Sequence, residues 1–168
     1  MADSKVNVYK AARNALGWSR EAAAEELGIS DDKLERIENG KQLPNPQDVK
    51  IMSDVYRSPE LCNHYCHFDC EIGAQYVPEI PDKELAAIVL KIIDSIYEAD
   101  DIKRTLVNIT ADGVISDDEI PALVQTQSRL EKLSNATEAL QLCIERKIDN
   151  GDINKELYVK EFKKAAGK

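Results

Sequence analysis

Three cysteines recur at every fourth residue in the run LCNHYCHFDC, at Cys62, Cys66 and Cys70. Thiolates bind zinc and iron–sulfur clusters, and His64, His67 or Cys143 could complete the ligand set. Residues four apart on a helix are rotated by only about 40°, so the three thiols would share one face. This spacing makes Cys62, Cys66 and Cys70 candidate ligands of a zinc ion or an iron–sulfur cluster.

A packing role explains the same cysteines. Residues eight apart in a straight helix are separated by about 12 Å along the axis, which is too far for one zinc ion. The run also lacks the paired C-x-x-C of common zinc sites. Because cysteine packs as a small apolar side chain, the helix could use these residues against its neighbour. Both interpretations stay open.

The run NITADGVISDDE, residues 108–119, has the outline of a calcium loop. Gly113 takes the sixth place and Glu119 the last, but the first and third places lack the carboxylates that calcium requires. A turn accounts for the same residues, since Gly113 could end one helix and Ser116 could form a capping box with Glu119. Pro121 favours a later helix start. We favour the turn over the calcium site.

The run GISDDKLERIENGK, residues 28–41, carries side chains that could contact nucleic acid. Arg36 could donate two hydrogen bonds to a guanine. Asp31 and Asp32 would be repelled by phosphates, although a carboxylate can accept from cytosine N4. In the first turn of a helix each acid also stabilises the helix dipole by roughly 0.3–1 kcal/mol.

The elements that must position these residues are helices. Apolar residues recur at helical spacing, and no run alternates long enough to predict a strand, so we predict an all-α fold. Ser19 and Ser30 are expected to cap the second and third helices, and Gly28 to end the second. A fourth helix follows the prolines at 44 and 46. A fifth begins at Ser58-Pro59 and runs through the cysteines.

A short capped helix, a tight turn at Gly28-Ile29 and a second short helix form a helix-turn-helix. The run GWSREAAAEELGISDDKLERIENGKQLPNPQDVKIMSDVY resembles the Cro/repressor-type (XRE) helix-turn-helix family over roughly residues 6–57. The resemblance rests on Gly28, the apolar residues at 27, 29, 34 and 37, and the run Glu38-Asn39-Gly40-Lys41 with proline soon after. It implies a five-helix, lambda-repressor-like domain that reads the major groove of double-stranded DNA with helix 30–39.

Carried over by position, the resemblance implies a set of DNA-contacting residues. Arg20 stands where such proteins usually have a glutamine that touches phosphate or base, and Glu38 is expected to be structural. Asp31 and Asp32 depart from the glutamine, serine, threonine or arginine common at their positions. Asp31, Asp32, Lys33, Glu35 and Arg36 are expected on the exposed face of the reading helix. Asn39 and Lys41 match positions that hold phosphates in such proteins. The expected DNA-binding residues are Arg20, Ser30, Asp31, Asp32, Lys33, Arg36, Asn39 and Lys41.

Gly73, Pro78 and Pro81 interrupt the helical pattern, and we place the domain boundary there. Beyond it the pattern predicts one long helix that reaches Ile109, a second long helix antiparallel to it, and a short third helix. These helices bury their apolar stripes poorly alone, so we predict a homodimer through them. The predicted division is a helix-turn-helix domain with the cysteine helix (1–72), a linker (73–82), and a helical domain for dimerisation or effector binding (83–168).

The net charge of −9 is concentrated in the C-terminal part. Residues 1–60 hold 9 basic and 11 acidic side chains, and residues 61–168 hold 13 and 20. This balance argues against a general affinity for nucleic acid or membranes, but it allows a local DNA-binding face. No apolar run could span a bilayer, and the N-terminus lacks a signal-peptide core, so we expect a cytoplasmic protein with reduced cysteines.

No nucleophile stands beside a base in one short motif, and glycine-rich phosphate loops are absent, so we expect no enzyme. The leading hypothesis is a dimeric, sequence-specific transcriptional regulator of bacterial or phage type. One alternative is a protein-interaction module that keeps the helix-turn-helix fold without binding DNA. Another is a metal- or redox-sensing regulator that acts through the cysteine helix.

Overall fold

A computed structural model describes residues 7–80 and 84–167 as helices joined by short connections. No strand occurs in this part of the chain, so the all-α prediction is confirmed. The N-terminal helices are α1 (Val8–Ala15), α2 (Arg20–Leu27), α3 (Asp31–Glu38), α4 (Pro46–Tyr56), α5 (Glu60–His64), a π-helical turn (Tyr65–Asp69) and α6 (Gly73–Tyr76). The C-terminal helices are α7 (Leu85–Tyr97), α8 (Ala99–Ile109), α9 (Ile120–Asp149) and α10 (Lys155–Ala165).

Side-chain caps fix the starts of α2 and α3. Ser19 Oγ accepts from the N–H of Ala22 at 3.2 Å, and Ser30 Oγ accepts from the N–H of Lys33 at 3.3 Å. Gly28, between the helices, has φ 66°, a left-handed conformation that glycine adopts without steric cost. The predicted caps and turn are confirmed, and they bring α2 against α3.

The core of the N-terminal helices lies under α3. Leu34 and Ile37 of α3 and Val49 and Met52 of α4 are almost completely buried. Each pair is spaced by three residues, so each helix buries one face. Burial of one such side chain stabilises a fold by roughly 1.5–3 kcal/mol. This packing holds the inner face of α3 and leaves its opposite face to solvent.

A buried ion pair joins α1 to α3. Arg13 Nε lies 2.6 Å from Glu38 Oε1, and Arg13 Nη2 lies 2.8 Å from Glu38 Oε2. Arg13 Nη1 also donates to the backbone oxygen of Trp18 at 2.7 Å. The hydrogen bonds to Glu38 raise the pKa of Arg13. The expectation that Glu38 is structural is confirmed.

The predicted fifth helix does not continue through the cysteines. α5 ends at His64, and a π-helical turn follows, closed by a 3.0 Å hydrogen bond from Cys70 N–H to Tyr65 O. Cys70 itself is extended, with φ −104° and ψ 115°. The premise that three cysteines share the face of one α-helix is therefore wrong. Helical periodicity does not reveal the π-helical turn, because it depends on packing against the segment that follows.

That following segment is α6, inside the stretch expected to be an irregular connection. α6 packs against the π-helical turn, and Gly73 permits the approach. A Cβ atom on Gly73 would lie 2.1 Å from the backbone oxygen of Cys66, so any side chain there would force the backbone apart. The N–H of Gly73 donates to Cys70 Sγ at 3.4 Å. Residues 73–76 are therefore helical rather than irregular.

The first long C-terminal helix is also interrupted. α7 ends at Tyr97, α8 begins at Ala99, and Glu98 between them has φ −83° and ψ −5°. Asp100 and Asp101 lie in the first turn of α8, where carboxylates stabilise a helix N-terminus. The prediction of one continuous helix was wrong, although both halves are helical.

The antiparallel arrangement with α9 is confirmed by two contacts. Ile88 of α7 is buried in one cluster with Ala139 and Cys143 of α9. Farther along the chain, Glu98 Oε2 lies 3.4 Å from Arg129 Nε. Residue numbers thus rise from 88 to 98 in the first segment while those of their partners in α9 fall from 143 to 129, as in an antiparallel pair.

The acidic turn before α9 uses its side chains locally. Glu119 Oε2 accepts from the N–H of Ser116 at 2.9 Å and from its hydroxyl at 2.6 Å. Asp112 Oδ1 accepts from the N–H of Val114 at 3.1 Å. α9 begins at Ile120, so Ser116 closes a turn before the helix and is not its N-cap. These hydrogen bonds support the turn interpretation over the calcium loop.

Contacts between residues group the described chain into two compact units. One comprises the described residues up to Glu79 together with those from Glu145 onward, and the other those within Ile80–Ile144. The division into 1–72, 73–82 and 83–168 stays a prediction. None of the described helices combines the length and the apolar character that crossing a membrane requires.

Candidate nucleic-acid interface

The outer face of α3 presents polar and charged side chains to solvent. Asp32, Arg36 and Asn39 are exposed, while Leu34 and Ile37 face the core. Positions 32, 36 and 39 are spaced by four and three residues and therefore lie on one side of the helix. Of the expected DNA-contacting residues on α3 and its C-cap, these three are exposed, and Ser30 and Lys41 on either side of the helix are exposed as well.

Arg20 is held by α3 itself. Its Nε and Nη2 donate to the two carboxylate oxygens of Asp31 at 2.7 and 2.8 Å, and Nη2 lies 3.5 Å from a carboxylate oxygen of Glu35. Hydrogen bonding from Arg20 lowers the pKa of Asp31, and the same contact raises the pKa of Arg20. The guanidinium therefore fixes α2 to the start of α3 and neutralises part of the acidic charge there.

Lys33 does not lie on the exposed face. Its Nζ is bonded to the carboxylate of Asp48 at 2.8–2.9 Å, and Asp48 is buried near the start of α4. Asp48 also accepts from the N–H of Asn45 at 3.2 Å as part of a capping box. The expectation that Lys33 is exposed on the reading helix is wrong, because this ion pair turns it toward α4.

Arg36 is exposed near the end of α3. Its Nε donates to Gln42 Oε1 at 3.1 Å, and the chain returns beside it because the N–H groups of Lys41 and Gln42 both donate to Arg36 O. Lys41 is exposed and has no ion pair within the described residues. Asn39 Nδ2 lies 3.5 Å from Glu35 Oε1. Arg36 and Lys41 thus form a cationic edge beside the C-terminal end of α3.

The structure gives Ser30 a capping role and adds Gln42 to the site. Ser30 Oγ is already engaged as the cap of α3, although its hydroxyl hydrogen can still be donated to a ligand. Gln42 was missing from the expected site, yet it is the hydrogen-bond partner of Arg36. Only its place next to Lys41 in a polar loop could have indicated it. The DNA-binding roles of all these residues stay predictions.

Three acids lie together at the start of α3. Their possible metal-ligand atoms all lie within 4.8 Å of one another. Among the described residues, no other group of three or more histidine, cysteine, aspartate or glutamate side chains is as close as Asp31, Asp32 and Glu35. Arg20 already binds two of them. The three acids therefore lie at a helix N-terminus with Arg20 as their counter-ion, and the negative charge of Asp32 is not paired with it.

The cysteines are dispersed among different local structures. Cys62 lies in α5, Cys66 in the π-helical turn and Cys70 beyond it, and they form no three-ligand group with neighbouring acids or histidines in the described chain. Burial raises the pKa of Cys66, which disfavours its reactive thiolate. His67 Nδ1 lies 2.7 Å from the backbone oxygen of Val77. A metal site at Cys62, Cys66 and Cys70 would need a rearrangement of this segment.

Comparison with protein families matches residues 10–61 to a family model described as a helix-turn-helix domain. Comparisons with curated proteins and with solved structures found no match. The matched region covers most of α1, all of α2 to α4 and the start of α5, including the capped turn and the exposed face of α3. A domain of this kind suggests a DNA-binding regulator. The chain therefore carries an N-terminal helix-turn-helix domain, consistent with the Cro/repressor type that its residues resemble.

Proposed function

We propose that the protein is a sequence-specific DNA-binding transcriptional regulator that inserts α3 into the major groove. The observation that carries the proposal is the position of Arg36, which is exposed on α3 within a helix-turn-helix whose inner face is buried. An arginine so placed can donate two hydrogen bonds to guanine O6 and N7. Lys41, beside it, is suited to a phosphate.

The acidic start of α3 shapes how this interface would work. Arg20 offsets the charge of Asp31, so Asp32 is the acid most free to act on an approaching duplex. Since few cations face the DNA, binding would rest on few phosphate contacts. We therefore expect a shallow dependence of affinity on salt.

The proposal is tested by binding-site selection followed by fluorescence anisotropy on the selected duplex and on a scrambled one. Arg36→Ala should cost about 1–3 kcal/mol on the selected site and relax base preference. Lys41→Ala should weaken both duplexes alike and reduce the salt slope by about 1. Lys160→Ala, which removes an exposed charge from α10, is the matched control. If no duplex binds, or if Arg36→Ala behaves like the control, the proposal fails.

We propose further that the regulator is a homodimer formed through α7. Six large apolar side chains on this helix remain between 38% and 82% exposed. At 100° per residue they occupy one continuous arc of roughly 140°, beside the sector that Ile88 buries against α9. Soluble monomers rarely expose such a contiguous apolar patch. The six residues are Leu85, Val89, Leu90, Ile93, Ile96 and Tyr97.

A second copy of the chain is the occupant that suits both this face and the helix-turn-helix. Two-fold symmetry would present two α3 helices to half-sites about one duplex turn apart. Ile93→Lys should convert the dimer to monomer in analytical ultracentrifugation. Ala87→Lys adds the same charge to the polar side of α7 and should leave the dimer intact. A monomeric wild type would overturn this part of the proposal.

One observation favours the alternative of a protein-interaction module. Arg20, at the position where proteins of the family it resembles contact DNA, is bonded to Asp31 and lies close to Glu35. A domain whose arginine is tied to its own acids could use the acidic face for a basic protein partner. The selection experiment separates the two functions, since this alternative predicts no enriched duplex. A cytoplasmic location and the absence of catalysis stay predictions of either function.

A further inference from the structure

A cavity of about 270 Å³ lies on the N-terminal unit beside the loop that follows α3. Its wall includes Ile37 and Leu43 as apolar surface, and Tyr9 and His64 as aromatic surface. This volume is just below the range of pockets that hold drug-sized ligands, so it suits a smaller molecule. The cavity lies outside the exposed face of α3, and the proposed DNA contacts do not account for its lining.

The charge of the lining has one sign. Asp69 is the one carboxylate that lines the cavity, and no lysine or arginine of the described chain does so. Asp69 Oδ2 accepts from the hydroxyl of Tyr9 at 2.8 Å, and Oδ1 has no donor among the described residues. A half-buried carboxylate with a free oxygen beside aromatic surface attracts a cation with N–H donors.

The π-helical turn creates this arrangement. His64 and Asp69 are five residues apart, which is about one turn of a π-helix, and both line the cavity. His64 packs edge-on against Tyr9, with ring centroids 6.2 Å apart. An uninterrupted α-helix would rotate Asp69 away by roughly 140° from His64. Interrupted α-helical geometry of this type is frequent at functional sites.

Gln42 connects the cavity to the proposed reading face. It lines the cavity, and its Oε1 accepts the hydrogen bond from Arg36 Nε. An ammonium group has three donors, and Gln42 Oε1 is an acceptor on the same cavity as Asp69. A bound ammonium that donated to Gln42 would place a second cation beside the Arg36 guanidinium, and repulsion between the two charges would break the hydrogen bond from Arg36.

We propose that this cavity binds a small organic ammonium compound with a short apolar body, held by Asp69, and that its binding releases Arg36 from Gln42. The ammonium pairs with Asp69 Oδ1, and the apolar body packs against Leu43, Ile37 and the ring of Tyr9. The consequence for DNA rests on the proposed function, whereas ligand binding itself does not. Release of Arg36 should raise affinity for the selected duplex severalfold.

Calorimetry on the full chain tests the ligand class with three probes that share one body: 2-phenylethylammonium, 2-phenylethanol and phenylacetate. The ammonium should bind at one site per chain, the alcohol at least about tenfold more weakly, and the carboxylate not at all. Asp69→Asn should lower ammonium affinity about tenfold or more, because it removes the counter-charge while keeping an acceptor for Tyr9. Asp54→Asn, at an exposed aspartate on α4, is the matched control. Equal binding of ammonium and alcohol, or full binding by Asp69→Asn, would overturn the site.

The link to Arg36 has its own readout without DNA. The N–H resonance of Arg36 Nε should shift on adding the ammonium to wild type, and it should already be shifted in Gln42→Ala. An unchanged resonance at saturation would overturn the link. If the chain binds no duplex, the proposed function is wrong, but the calorimetry and this resonance still test whether the cavity binds the ammonium. If the duplex binds but its affinity does not change with the ammonium, the proposed regulation is wrong and the proposed DNA-binding function is retained.

Discussion

Arg20 of α2 binds Asp31 of α3 through two parallel hydrogen bonds of 2.7 and 2.8 Å. The pair joins the two helices of the helix-turn-helix across its turn. DNA phosphates would attract the arginine and repel the aspartate, and in the pair these two charges offset each other. The behaviour of the acidic first turn of α3 therefore depends on whether this pair stays closed.

Asp31→Asn should strengthen DNA binding more than Asp32→Asn does. Each variant removes one negative charge, but only the first frees Arg20 to contact a phosphate. The slope of log affinity against log salt should therefore become steeper by about 1 for Asp31→Asn and stay unchanged for Asp32→Asn. Titrating both variants with the selected duplex at several salt concentrations measures the difference. Equal slopes would mean that Arg20 does not reach the duplex.

The Asp31 carboxyl should titrate below its ordinary value of 3.8, because Arg20 lowers its pKa. A carboxyl with a lowered pKa in the folded state contributes stability above its unfolded pKa and loses it as the pH falls through the folded pKa. Arg20→Gln should therefore have a lower unfolding midpoint than wild type at neutral pH. The difference between the two midpoints should shrink as the pH falls through the folded-state pKa of Asp31. Carboxyl chemical shifts against pH measure the titration. A normal titration in wild type would contradict the closed pair.

Glu38→Ala should destabilise the protein by about 3–5 kcal/mol, since it leaves the charge of Arg13 buried without a partner. Asp54→Ala breaks the exposed pair with Lys50 and should cost less than about 1 kcal/mol. Urea unfolding followed by circular dichroism measures both. Similar losses in the two variants would show that the Arg13–Glu38 pair is not buried as described.

Tyr56→Phe should stabilise the protein by about 1 kcal/mol, because the Tyr56 hydroxyl is buried without a hydrogen-bond partner among the described residues. Burial, together with the charge of Glu38, raises the Tyr56 pKa to about 12. Tyr9→Phe deletes the hydrogen bond to Asp69 instead and should cost about 1.5–3 kcal/mol. Thermal unfolding of the two variants should therefore move in opposite directions. A loss of stability in Tyr56→Phe would reveal a partner for that hydroxyl.

Gly73→Ala should cost about 3 kcal/mol or more, since its Cβ would collide with the backbone oxygen of Cys66. Gly40→Ala provides the comparison, because Gly40 has open space but φ 68°, a conformation that costs an alanine about 1–2 kcal/mol. Chemical denaturation of both variants ranks the two costs. The reverse order would mean that α6 does not pack against the π-helical turn.

The amino-acid sequence alone determined the helices of the helix-turn-helix. The caps at Ser19 and Ser30 and the left-handed Gly28 depend on hydrogen bonds and steric limits within three or four residues. The buried positions Leu34 and Ile37 follow from helical periodicity. Such features are local, so they can be predicted before any tertiary contact is known.

Tertiary structure decided the partners of the charged side chains and the break in the cysteine helix. Lys33 turns to Asp48, fifteen residues away, and Arg20 to Asp31, eleven away, because helix packing chooses which charges meet. The π-helical turn likewise depends on the return of Gly73 onto Cys66. Periodicity places a residue on a face of its own helix, but only the packed helices determine what that face meets.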